Sequence, residues 1–141
     1  MELVKLHPPM VHFAIAFPLF LLFTDIYYRW VKKSPDGLHA MLTYVSVFAV
    51  LGGTASGIIA HKPIEEKLHQ IPVFEAHEIL GISLSILFLL LGALRFFLGG
   101  YNTRWIRDAY TSLLLLGVLL LFLQGRWGGM IVYDYLLKIG L

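Results

Sequence analysis

Six histidines and no cysteine define the chemistry open to this chain. Disulfides, thiolate metal sites, iron–sulfur ligation and cysteine nucleophiles are excluded. Four of the imidazoles fall at one end of the helices that the hydropathy pattern predicts. His7 precedes Pro8, His12 lies about one turn into the first apolar run, His61 closes the second, and His77 lies about one turn into the third. At about 1.5 Å rise per residue, His12 and His77 sit roughly 5–8 Å below their helix starts, close to the depth of His61. Ionisable residues inside a membrane usually face the bundle interior and mark function. Two imidazoles on facing helices can ligate haem iron, and three can hold Zn, Cu or non-haem Fe. The plainer reading is an amphipathic ring at the headgroup level. It is favoured for His7 and His69 in loops, and for His39, alone at the other end of the second helix; for His61 the readings balance. For His12 and His77 together the functional reading is favoured, with His7 and His61 as reserve ligands.

Small residues lie one turn from three of these rings. Ala16 follows His12 by four, Gly57 precedes His61 by four, and Gly81 follows His77 by four. A flat macrocycle held by a histidine needs such a gap. Close helix packing is the competing explanation, and Gly53-x-x-x-Gly57 fits it well. Arg126, at the outer end of the last span, is a candidate partner for a haem propionate, although an interfacial anchor accounts for it too. Glu75, Glu78 and Asp134 are the carboxylates available to a metal site or its surroundings.

Positioning these side chains falls to a membrane bundle. The chain has 141 residues, 58% hydrophobic and only 14% charged. A soluble domain is about 45–50% apolar and about 25% charged. A domain this small could not hide so much apolar surface from water, so lipid must solvate much of it. A soluble enzyme, a nucleic-acid binder and a disordered chain are excluded. A span needs about 20 mostly apolar residues, and the pattern predicts helices over about 9–30, 40–61, 73–98 and 104–126. The alternation of a β-barrel is absent. The expected class is all-α: one integral membrane domain over 1–141, folded as an up-down four-helix bundle. The start lacks a basic n-region and a small-residue cleavage site, so the first run is expected to stay as a helix.

Punctuation supports the boundaries. Pro8-Pro9 opens the first helix, and Pro18 should kink it. Ser34-Pro35-Asp36-Gly37 is turn chemistry. Pro72 opens the third helix, and Gly99-Gly100 ends it. Asn102 or Thr103 caps the fourth, and Gly128-Gly129 should interrupt it before an amphipathic tail over about 129–138. Asp25 and Arg29, four apart, should pair. Trp30, Trp105 and Trp127 mark the interfaces. Short loops place both termini on one side. That side holds Lys5, Lys62, Lys67, Arg126 and Lys138, five basic residues; the other holds Arg29, Lys32, Lys33, Arg95, Arg104 and Arg107, six. The positive-inside rule then puts both termini and the four-histidine end outside a bacterial-type inner membrane.

No serine or threonine in the spans has a nearby base, and no Gly-rich loop precedes a lysine. The polar residues are expected to cluster at the histidine end, which speaks against substrate translocation.

Leu6-His7-Pro8-Pro9-Met10-Val11-His12-Phe13, followed by an apolar helix with Asp25 near its end, resembles a family of small bacterial membrane proteins catalogued as a domain of unknown function. That family similarly carries a histidine early in its third helix, matched by His77, and a late element matched by Gly128-Gly129-Met130-Ile131-Val132-Tyr133. The likeness covers nearly the whole chain and departs at Ala14, where proline is expected and which Pro18 follows by four. It implies a four-helix integral membrane protein. The plan is also similar to that of four-helix b-type cytochromes, a likeness of architecture only.

Three readings follow. The first is a membrane protein that binds haem b near its outer face and passes electrons, with His12 and His77 as axial ligands. It would be an electron carrier or redox-complex subunit, not a stand-alone catalyst, served by a redox partner protein or a quinone. The second is a Cu, Zn or Fe protein using His7, His12, His61 and His77. The third is a cofactor-free accessory subunit. Self-association is compatible with all three.

Overall fold

The computed structural model describes residues 7–100 and 103–139. Among these there is no strand. α1 spans His7–Trp30, α2 Gly37–His61, α3 Glu65–Leu68, α4 Phe74–Gly100 and α5 Arg104–Met130. α1, α2, α4 and α5 are long and apolar enough to cross a membrane. α1 packs on α2, α2 on α4, α4 on α5, and α5 returns to α1, so the four close a ring in up-down order. Only 28–33% of each apolar window is buried inside that ring. Phe20, Phe23, Phe48, Phe96 and Leu119 point outward. Acyl chains are the only solvent that would accept such a belt, so a lipid bilayer is the setting of this fold.

Leu21, Val47, Val50, Leu84, Phe88, Leu91 and Leu114 fill the middle of the bundle. Local chemistry explains the ends. α1 runs unbroken through Pro18. It stops where Lys32 adopts φ 56°, the left-handed conformation that glycine usually supplies after a helix. Lys32 N–H donates to Arg29 O and Lys33 N–H to Tyr28 O, the paired closing bonds of a Schellman motif. Asp36 caps α2 by accepting from the backbone N–H of His39. α4 runs through Gly99 to Gly100, the last described residue before 103. Thr103 takes the extended N-cap conformation of α5 without a side-chain bond, and Asn102 lies outside the described residues.

Two expectations need correction. The segment between the second and third spans, read as a loop at His69, is not plain loop: a 3₁₀ turn over Lys62–Ile64 leads into α3. Gly128-Gly129 does not interrupt the last helix. α5 continues through both glycines to Met130 and then widens into a π-helical turn, Ile131–Leu136. Glycine permits a break and does not force one. The tail is held by a small second core in which Ile131, Tyr135 and Leu136 pack with Leu68, Ile71 and Phe74.

The loop of the first hairpin is gripped by the second. Arg95 of α4 donates from Nη2 to Asp36 O at 2.8 Å, and Arg107 of α5 donates from Nη2 to Lys33 O at 2.7 Å.

Candidate histidine-lined cavity

At the end where α1 begins and α2 finishes, a cavity of about 340 Å³ opens between the helices. That is within the usual range of ligand sites. His7, His12, His61 and His77 all border it, with apolar walls from Val11, Ile15, Val50, Ile82, Leu84 and Leu121. Gly53, Gly57, Gly81, Gly125, Gly128 and Gly129 also line it. The histidine end predicted from spacing is therefore real, but its centre is His61. The His7 and His61 ring centroids lie 5.9 Å apart, and those of His61 and His77 lie 6.2 Å apart.

The nitrogens can be assigned roles. Ser56 Oγ donates its one proton to Gly53 O at 2.8 Å, so toward His7 it can only accept. His7 Nδ1 is 2.9 Å from that oxygen; with the Ser56 proton on Gly53 O, the ring donates through Nδ1–H and His7 Nε2 is a bare lone pair. His12 Nδ1 donates to Pro8 O at 2.6 Å and likewise leaves Nε2 bare. His12 is exposed and has no ring contact with the other three, unlike His7. His77 is 9% exposed; its Nε2 is 3.4 Å from Gln124 Nε2 and its Nδ1 is buried without a partner. His61 Nδ1 is buried without a partner too.

The small residues do something other than predicted. A Cβ on Gly57 would lie 3.1 Å from His7 Cε1, so this glycine admits an imidazole and not a macrocycle. A Cβ on Gly81 would lie 3.1 Å from Gln124 Nε2, and one on Gly128 3.2 Å from His77 Cε1. Gly53 packs against Ala14, the helix contact expected of it. Ala16 is exposed. Of the carboxylates, Glu78 reaches the cavity wall, while Glu75 and Asp134 are exposed. Arg126 is exposed and outside the cavity lining. Among the described residues no three His, Asp or Glu side chains converge as a metal ion would need.

A second polar cluster sits at the opposite end, against the expectation that polar residues gather at one. His39, expected at the interface, is fully buried, and its Nε2 donates to Asp25 Oδ1 at 3.0 Å. Arg29 Nε lies 3.5 Å from Asp25 Oδ2, so the predicted i,i+4 pair forms. Arg29 also reaches Asp108 at 2.8 Å and Thr111 at 2.7 Å. Thr43 donates to His39 O, so Tyr110 O–H donates to Thr43 Oγ1 at 2.7 Å. One signal was present in the sequence: Asp25 lies more than a turn inside the apolar run, too deep to stand without a partner. Outside the spans, Lys33 bridges Asp36 at 2.7 Å and holds its carboxyl well below the usual carboxylate range.

No curated protein and no solved structure matches the chain. The cytochrome-like plan therefore has no counterpart among them. A family profile described as Predicted membrane protein (DUF2231) matches residues 4–140, and the chain, a membrane protein by this match and by its four apolar helices, belongs to that family.

Proposed function

We propose that the cavity binds haem b and that the protein passes electrons as a carrier or redox-complex subunit. One observation carries the reading: His7 is anchored through Nδ1 to Ser56, and its bare Nε2 stands in a glycine-lined apolar cavity. Ligating histidines are held this way, one nitrogen on an oxygen and the other free. The donor set favours haem over a free cation. A porphyrin supplies four of the ligands of its iron, so one or two imidazoles suffice. A Zn or Cu site needs three or four protein ligands, and no such group converges among the described residues.

His7 from α1 and His77 from α4 would hold the haem iron, with His61 between them in this structure; His12, more exposed, drops to reserve. Haem held there would supply one-electron redox chemistry, and α1, α2, α4 and α5 would give it mostly apolar walls. The proposed orientation places this end and both termini outside a bacterial inner membrane, facing a redox partner protein or a quinone. Six basic residues against five support it.

The test is an absorption spectrum with metal analysis on the purified chain. A Soret band that sharpens on reduction, lost in His7→Ala and His77→Ala, supports the assignment. Loss in His12→Ala alone overturns the pairing. Colourless protein with stoichiometric Cu or Zn moves the site to metal handling, and protein with neither is an accessory subunit.

A further inference from the structure

α4 and α5 meet at the cavity through a reciprocal pair of knobs and gaps. His77 and Gly81, one turn apart on α4, face Gly128 and Gln124, one turn apart on α5. The His77 ring lies against Gly128, where a Cβ would be 3.2 Å from Cε1. The Gln124 amide lies against Gly81, where a Cβ would be 3.1 Å from Nε2. Each bulky side chain thus fills the space the opposite glycine leaves. The arrangement brings the amide to 3.4 Å from His77 Nε2.

We propose that Gln124 is a positioning residue that fixes the tautomer of His77 and so decides which ring nitrogen is offered to the cavity. Gln124 Oε1 is buried without a partner, and so is His77 Nδ1. A half-turn of the amide exchanges its oxygen and nitrogen and moves no other atom. With the oxygen toward the ring, Gln124 accepts from His77 Nε2–H, and Nδ1 becomes a bare lone pair. His77 then follows the rule already seen at His7 and His12, whose Nδ1–H groups donate to Ser56 Oγ and Pro8 O. With the amide so turned, each of the three rings would be anchored to an oxygen by one nitrogen and leave the other free. An apolar side chain at 124 would remove the anchor from His77 and leave both nitrogens undirected. The role of the bare nitrogen as a ligand rests on the haem reading above; the tautomer itself does not.

The experiment is nitrogen NMR of the full chain labelled with ¹⁵N-histidine, in lipid nanodiscs at about pH 8.5, where a free imidazole is neutral. His77 signals are identified by their loss in His77→Asn. The expected result is a single Nε2–H tautomer in the wild type, retained in Gln124→Glu, whose carboxylate also accepts. Gln124→Leu should show both tautomers. A wild-type Nδ1–H tautomer, or a tautomer unmoved by Gln124→Leu, overturns the proposal. If Gln124→Leu does not fold, the wild-type and Gln124→Glu tautomers decide. Haem content is read on the same samples. A tautomer controlled by Gln124 in protein that never takes up haem sinks the cofactor reading alone. Haem-loaded protein with a tautomer indifferent to position 124 sinks this proposal alone.

Discussion

His39 and Asp25 form a buried pair across α1 and α2, with the imidazole fully enclosed and the carboxylate 1% exposed. Their 3.0 Å contact joins the two helices of the first hairpin. Thr111 and Arg29 add donors on the other carboxylate oxygen, which ties in α5. Removing Asp25 leaves the buried His39 Nε2 without its acceptor, and removing His39 leaves Asp25 Oδ1 without its donor while Thr111 and Arg29 still hold Oδ2. His39→Leu or Asp25→Leu alone is expected to cost about 1–3 kcal/mol, the usual penalty for a buried hydrogen-bonding group left without its partner. The double substitution should cost less than the sum of the two single changes, since side chains in direct contact are coupled. Thermal unfolding in detergent measures this. Additive losses would show that the two side chains are not coupled. Either single variant should leave the optical spectrum of any bound haem in place, because the pair lies at the far end of the bundle.

The two adjacent glycines of α5 should respond in opposite directions. Gly128→Ala puts a methyl 3.2 Å from the His77 ring, while Gly129 has open space around its missing side chain. Gly128→Ala is expected to destabilise by about 1–3 kcal/mol through overpacking. Gly129→Ala should be neutral or stabilise by up to about 1 kcal/mol through helix propensity. Equal unfolding temperatures for the two variants would contradict the placement of His77 over Gly128.

Ser56→Ala removes the oxygen that anchors His7 Nδ1. Under the haem proposal the ligand survives but loses its orientation. Loss of such an outer partner typically weakens binding by about 10–100-fold. Titration of haem into apoprotein reads the change; unchanged affinity would remove His7 from the proposed pair.

The Asp36 carboxyl, drawn down chiefly by its bond with Lys33 and also by the His39 backbone N–H, titrates below its unfolded value of about 3.9. Its contribution to stability is therefore complete above about pH 4 and disappears only as pH falls through the lowered folded value. Asp36→Asn should lower the unfolding temperature at pH 7 and leave it close to wild type at strongly acid pH. Because the pair is exposed, the effect should also shrink in high salt.

Much of this architecture was legible in the sequence because hydropathy and turn chemistry are local. The four spans follow from apolar length, and Asp36-Gly37 marks a start that the chain honours. That His12, His61 and His77 share one end of the bundle was also legible, since helical rise fixes it, whereas His7, read as a loop residue, is the first residue of α1. Facing was not. Whether His12 or His7 turns inward depends on the rotation of α1 about its axis, which is set by Gly53 against Ala14 and Gly57 against His7. Gln124 gave no signal, because a lone amide near a helix end has many uses and its partner lies 47 residues away. His39 was misread because its partner Asp25 lies on the other side of a turn, and only the packed hairpin joins them.

Arg95 and Arg107 grip the loop between α1 and α2 by its carbonyl oxygens, at Asp36 and Lys33. A carbonyl is the same in every residue, so these bonds record where the chain passes and not which side chains it carries. Ser34 and Pro35, between the two grips, should accept many replacements. Inserting or deleting a single residue there would carry one carbonyl out of reach and leave a guanidinium facing an empty position. The evolutionary signature expected of this connection is free substitution at fixed length.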